Sequence, residues 1–429
     1  MRWASRLLSI SLLALAAVAL MPATTTPQAS GPVDVIQVSG PLDERVIDFV
    51  RRTVQRSVDE AQVVVLQLDS PGAVSGDIGE LIELLRDPPL PVMVWAGPAP
   101  AVAYGGAAQL LAASPLRGAA PEVQVGWLWP TVAGAAGDGP EAVSLDFPDV
   151  PEALLVSRQR VAGPIPGLVD LVAPSVGQVV VGLDGLEVAV RGETRTLATA
   201  EEVVEEGRVQ TRPAVEVRFH KPDLVTRTLR LAVRPEAAYF FLVLGLSAAA
   251  FEFYAVGPGA AAAVAAIALV LAGYGVAALP VNWWAVAATV GGLGLYVVDF
   301  QRSDLGWRSL AGTALLVVGG LGFVGAEPQF RALWWTVVLV VVGVAFFFVL
   351  GMTTVVRARF STRTIGREHL IGRRGVAESD FDPGGVVLVD GARWRATSYR
   401  AAGIRSGDRV RVVGVDGVVL AVEPLGVSE

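Results

Sequence analysis

The sequence predicts three successive folds: an α/β domain, an all-α polytopic membrane domain and a small all-β barrel. Near-continuous apolar strands alternating with helical segments predict the first. Apolar runs of membrane-spanning length predict the second, and short strands separated by Asp-Gly turns the third. The composition agrees: of 429 residues, 53% are hydrophobic and only 17% charged, with a mean hydropathy of +0.54, which is too apolar for an ordinary soluble enzyme.

Composition also excludes several chemistries. A net charge of −7 and a pI near 5.1 argue against a nucleic-acid partner. The absence of cysteine removes disulfides, thiol nucleophiles and thiolate metal ligands together. The two histidines, His220 and His369, are too few for a histidine-rich metal site or a Ser-His-Asp triad in the N-terminal half. The expectation is therefore no cofactor and no metal. Lysine occurs once, at Lys221.

Along the chain, residues 1–29 have the pattern of a signal peptide: Arg2 and Arg6, an apolar run from Leu7 to Leu20, then small residues from Ala23. The run is shorter than the roughly 20 residues a spanning helix needs. The α/β domain is expected over 30–175. Val33–Val38 reads as a strand, Asp43–Gln62 has helical spacing, and Val63–Leu68 is the apolar run of a strand buried on both faces. A helix at Ile78–Arg86 and a strand at Pro91–Trp95 follow, so the sheet should be parallel with helices outside. Residues 176–236 read as a spacer of short strands. Its acidic residues Glu201, Glu202, Glu205 and Glu206 are expected on a solvated helix or turn face.

About five membrane helices are expected over 237–356, in runs at 237–256, 259–279, 282–300, 309–325 and 332–355. Trp283, Trp284, Trp307, Trp334 and Trp335 fall where an aromatic belt would place them. Glu252 and Asp299, near span ends, suggest interfacial or helix-packing roles, with a pore or transport role as the other reading. If the first segment exports the α/β domain, five spans leave the C-terminus in the cytoplasm. Arg302, Arg308, Arg357, Arg359, Arg363 and Arg367 then lie inside, as the positive-inside rule favours, while Arg227, Arg230 and Arg234 lie outside, against it. Residues 366–425 alternate short strands with turns at Asp390-Gly391, Ser406-Gly407 and Asp416-Gly417, which fits a barrel of the OB type. Trp394 and Tyr399 with Arg393, Arg395 and Arg400 are the nearest approach to a nucleic-acid stacking platform and read more simply as core and surface.

Several short stretches together carry a resemblance. They are Leu68-Asp69-Ser70-Pro71-Gly72-Ala73 after a buried strand, Ala99–Gly106, Ala237–Leu242, Phe251–Tyr254 with Gly257-Pro258-Gly259, Leu279–Trp283, and Ile371-Gly372 with Gly391–Ala396. In this order they resemble the long form of the NfeD family, in which a Clp-protease-like (crotonase-superfamily) domain precedes membrane helices and an OB-like barrel. The resemblance implies a membrane-bound serine protease with a Ser-Lys dyad. The serine sits in a small-residue turn, a lysine takes its proton, and backbone N–H groups stabilise the oxyanion.

This sequence departs from that pattern where the chemistry lies. Tyr104 stands at the nucleophile position, followed by Gly105 and Gly106. The oxyanion turn keeps Gly72 but has Ala73 for its second glycine. The base is expected on a helix at about Glu152–Ala162, which offers Arg158 and Arg160 but no lysine. Arginine stays protonated and is a poor base. The expected function is a catalytically inactive, protease-like scaffold in the cell membrane. The resemblance implies stomatin/flotillin-like (SPFH) membrane proteins as partners, with a role in membrane organisation or quality control, and is compatible with a homo-oligomer. The alternative is an active membrane-bound serine endopeptidase using a displaced serine, with Ser70, Ser75 and Ser114 as candidates. Trp127 and Trp129 are read as cleft cover, membrane contacts or ordinary packing.

Overall fold

Buried apolar runs set the architecture, because a strand covered on both faces has no polar side to offer solvent. The structure, a computed structural model, describes residues 31–135, 139–205, 208–255, 259–302, 306–325, 327–352, 367–398 and 403–425. The signal-peptide reading, Glu206, Gly257-Pro258, Arg357, Arg359, Arg363, Tyr399 and Arg400 lie outside the described residues. The chain divides into two compact units, Met1–Leu350 and Gly351–Glu429.

In the first unit, β1 (Val33–Ser39), β2 (Val63–Asp69), β3 (Val92–Ala96), β5 (Leu116–Ala119), β8 (Leu171–Val172) and β13 (Val217–His220) form one parallel sheet in the order β13-β1-β2-β3-β5-β8. The helix Glu44–Ser57 covers this sheet with Val46, Ile47, Val50 and Val54 and is capped by Asp43, whose carboxylate accepts from Val46 N–H at 3.2 Å. A second, small sheet sets β4 (Val102–Tyr104) parallel to β6 (Gln124–Gly126), which pairs antiparallel with β7 (Arg158–Arg160). The two sheets meet where β2 ends: Ser70 N–H donates to Val102 O at 2.7 Å and Tyr104 N–H to Ser70 O at 3.2 Å. A parallel sheet with the helix Glu44–Ser57 packed outside it is the α/β arrangement that the sequence predicts.

Two details differ from the sequence reading. The stretch read as a spacer holds the hairpins β9 (Glu187–Val190)–β10 (Glu193–Thr196) and β11 (Ala200–Glu205)–β12 (Arg208–Pro213), and then returns β13 to the main sheet beside β1. Glu201, Glu202 and Glu205 therefore lie on a hairpin strand and not on a helix. β13 is held by charge as well as by its ladder. Asp34, 1% exposed, takes a bidentate pair from Arg218 at 2.7 and 3.1 Å, a hydrogen bond from Ser57 Oγ at 2.6 Å, and lies 3.2 Å from His220 Nε2. Burial alone would raise the Asp34 pKa, but the bonds from Arg218, Ser57 and His220 outweigh it and hold the carboxyl below its ordinary value.

Among the described residues, four helical segments are long and apolar enough to cross a membrane: Pro235–Tyr254, Ala260–Ala278, Trp283–Gln301 and Pro328–Met352, the last opening with the 3-10 turn Pro328–Phe330 ahead of the helix Trp334–Phe346. A shorter apolar helix, Trp307–Leu321, stands between the last two. The five belt tryptophans are all at least half exposed. Helices Trp283–Arg302 and Trp307–Leu321 approach closely at Gly292 and Gly312, where an added Cβ at either would meet the other's carbonyl oxygen at 2.8 or 2.7 Å. Both intramembrane acids cap a neighbouring helix. Glu252 accepts from Gly259 and Ala262 N–H, and Asp299 from Gly306 N–H, Ser309 N–H and Ser309 Oγ. Helix capping therefore accounts for both residues without a pore.

The second unit holds a closed barrel of β14 (Arg374–Ala377), β15 (Gly384–Val389), β16 (Ala392–Ser398), β17 (Arg409–Asp416) and β18 (Val419–Pro424), in the order β14-β15-β16-β18-β17. Along β16, Trp394 packs against the barrel core while Arg393 and Arg395 are exposed, so alternation separates the residues that a stacking platform would need on one face.

Candidate functional site

The chain turns sharply at Tyr104-Gly105-Gly106. β4 ends at Tyr104, Gly105 adopts φ +54° and ψ −133°, and the helix Gly106–Ala113 starts at once. A side chain at Gly106 would strike Thr131 O, Ala73 Cβ and Ile78 Cγ1 at 2.8–3.0 Å, so the turn fits only with small residues. This strand-turn-helix junction is where a nucleophile would be presented.

Tyr104 points inward and is 4% exposed. Its hydroxyl donates to Gln124 Oε1 at 2.9 Å and accepts from Arg158 Nη1 at 3.4 Å. The ring meets Trp127 edge-on with centroids 4.9 Å apart, and the Arg158 guanidinium lies 4.7 Å from the Trp127 ring centroid. The structure thus brings the Tyr104 and Arg158 side chains together. It corrects the element that carries Arg158. The helix there is only Ala153–Val156, and Arg158 lies on β7, where pairing with β6 brings it beside Tyr104. A fixed guanidinium at this distance can hold the phenol in place but cannot take its proton.

The amides of the two turns are already engaged. Gly105 N–H donates to Trp127 O at 2.9 Å, Gly106 N–H to Thr131 O at 3.0 Å, and Gly72 N–H to Ser70 Oγ at 3.2 Å. Ala73, 1% exposed, packs beside this junction and its carbonyl accepts from Ala133 N–H at 2.9 Å. Gln109, buried on the helix after the turn, donates to Leu128 O and Thr131 Oγ1, both at 2.8 Å, and so ties down the segment that supplies these carbonyls. Trp127 is therefore part of the site, through both its ring and its carbonyl.

The other candidate serines are held elsewhere. Ser70 is fully buried with Oγ against Gly72, Ser75 bonds Asp77, and Ser114 donates to the Val92 and Leu116 carbonyls. Asp69 accepts from Val102 N–H at 3.0 Å, a turn-stabilising role. Lys221 directly follows β13, which belongs to the main sheet and not to the small sheet that carries Tyr104.

Sequence reasoning missed three contributors. Gln124, half-buried, and Gln109, buried, are polar residues in or beside apolar elements, a signal that could have marked them. The third is a segment between two membrane helices. Phe330, 2% exposed, places its ring where a Cβ on Gly72 would meet it at 3.2 Å, and Gln329 approaches Gly105. Nothing local in the sequence links 329–330 to residues 72 and 105.

Comparison with known proteins agrees with this organisation. Residues 236–353 match the NfeD integral membrane domain, and residues 367–424 match the NfeD-like C-terminal, partner-binding domain. The chain is 23% identical over 425 residues to the membrane-bound protease PH1510 of Pyrococcus horikoshii, which covers 92% of this chain and 93% of that protein. Among solved structures, a 1510-N membrane protease specific for a stomatin homolog, from Pyrococcus horikoshii, matches 46% of this chain and 96% of its own at 16% identity and a TM-score of 0.33. The C-terminal domain of stomatin operon partner protein 1510-C from the same organism matches 15% of this chain and 97% of its own at 39% identity and a TM-score of 0.14. The membrane and C-terminal domains of this chain are thus those of the NfeD family.

Proposed function

We propose that this protein is a membrane-anchored, catalytically inactive serine-protease-like scaffold that acts with stomatin/flotillin-like (SPFH) membrane proteins in membrane organisation or quality control. One observation carries the inactive reading. The nucleophile position holds a buried tyrosine whose hydroxyl is spent on Gln124, and the cation facing it is Arg158. Neither group supplies the activated hydroxyl and neutral base that acyl transfer needs. The partner class is supported by the similarity to a protease specific for a stomatin homolog and to a stomatin operon partner protein, and by the match to a partner-binding domain. We place the α/β domain outside the cytoplasm and the barrel inside it, counting the shorter apolar helix Trp307–Leu321 as a fifth crossing beside the four of spanning length.

Treatment of the purified full-length protein with a fluorophosphonate probe tests this reading. The expected result is no stoichiometric serine adduct by intact mass. The Tyr104→Ser variant should stay unlabelled as well, because Arg158 is no base. Stoichiometric labelling of the natural chain, abolished by one Ser→Ala change, would overturn the scaffold reading in favour of a displaced-serine endopeptidase.

A further inference from the structure

The connection between the last two membrane helices does more than join them. Pro328–Phe330 forms a 3-10 turn that brings the Phe330 ring against Gly72, with Cε2 and Cζ at 3.2 and 3.4 Å from a Cβ built there. Gln329 Nε2 comes within 3.7 Å of the corresponding position on Gly105. Glu327 Oε1 accepts from Gly134 N–H at 3.0 Å. The same connection is braced by the one at residues 279–282: Val281 bridges Val324, Asn282 N–H donates to Phe323 O at 2.9 Å, and Asn282 Nδ2 donates to Gly322 O at 2.8 Å. Pro280 of that second connection packs under Gly134. Beside Phe330 remains a recess of about 220 Å³, lined among others by Asp69, Pro71, Val102, Arg234 and Gln329.

We propose that the Gly72 and Gly105 turns are a docking socket for the chain's own membrane domain, with Phe330 as its plug, and that this contact controls entry to the cleft. The glycine at position 72 is what lets the Phe330 ring come this close, and Gln329 lies at ordinary van der Waals distance from the Gly105 turn. The socket accounts for Gly72 whether or not the site retains any chemistry, so the inference does not rest on the inactive reading. An extended polypeptide approaching the two turns has to displace Gln329 and Phe330. Because these residues join two apolar helices, a change in helix packing that withdraws the plug opens the cleft. By reciprocity, a peptide seated in the cleft shifts the helices by the same coupling.

The absence of cysteine makes a direct test clean. Val102→Cys with Gln329→Cys places two thiols on the same recess, and Arg51→Cys with Glu80→Cys, at an exposed ion pair of 2.6 Å, gives a control within the α/β domain. In native membranes a short bis-maleimide should cross-link both pairs within one chain, read by mass spectrometry of the joined peptides. Alkylation of the Val102→Cys single variant by a membrane-impermeant maleimide should be slow and should accelerate at least tenfold when Phe330→Ala is added. Cross-linking of the control pair without the Val102–Gln329 pair overturns the socket. So does an unchanged alkylation rate in a Phe330→Ala chain that still cross-links the control pair. If Phe330→Ala abolishes the control cross-link, Phe330→Leu takes its place under the same two criteria, with about a threefold acceleration expected.

Discussion

Replacing Arg218 with alanine is expected to destabilise the α/β domain by about 3–5 kcal/mol, the usual cost of removing one partner from a buried ion pair. The cost comes from what stays behind. The Asp34 side chain is 2% exposed and would keep only Ser57 and His220, whereas Arg218 itself is 30% exposed. Denaturation of the detergent-solubilised chain, followed by tryptophan fluorescence, measures it. A loss below about 1 kcal/mol would mean that β13 is held by its backbone ladder alone. The pair also predicts a pH dependence. Because the folded Asp34 pKa lies below the unfolded value of about 4, its contribution is complete above that value and is lost as pH falls through the lowered folded one. The Arg218→Ala chain should show a flatter acid limb than the natural chain.

Substitution at Tyr104 should separate structure from chemistry. Tyr104→Ala empties a buried aromatic site beside Trp127 and is expected to cost about 3–5 kcal/mol. Tyr104→Phe keeps the ring and removes the bond to Gln124 and the longer one from Arg158, for about 0.5–1.5 kcal/mol. A catalytic hydroxyl would give a different pattern, in which the phenylalanine variant alone abolishes activity. Equal destabilisation by both changes would show that the hydroxyl, and not the ring, holds this region together.

How much of this could be read beforehand depended on where the information lay. Val63–Leu68 announced a strand buried on both faces, and Tyr104-Gly105-Gly106 announced a tight turn by its small residues, because both signals are local. The barrel strands were legible for the same reason, through the Asp-Gly turns between them. Arg158 was read only as a residue of a helix in the base region, and it reaches Tyr104 from a strand instead. Arg158-Gln159-Arg160 has no strand character of its own and becomes β7 by pairing with β6, more than 30 residues earlier. β13 was hidden likewise, four half-apolar residues whose partner strand is β1. The seat of Phe330 was illegible, since a phenylalanine between two apolar helices looks like one more interfacial aromatic until the chain is folded.

The pairing of β13 with β1 also bears on the timing of synthesis. Asp34 and Arg218 are 184 residues apart, so β1 can take β2 as a neighbour early but must wait for its other edge. At a ribosomal rate of about 5–20 residues per second, that wait is roughly 10–40 s. The first apolar helix begins at Pro235, soon after β13 ends at His220. Completion of the sheet and insertion of the first span therefore fall within the same brief interval. During the preceding interval the β1 edge is an open template for other strands. A nascent chain of this design has reason to recruit a holdase until residue 220 has emerged.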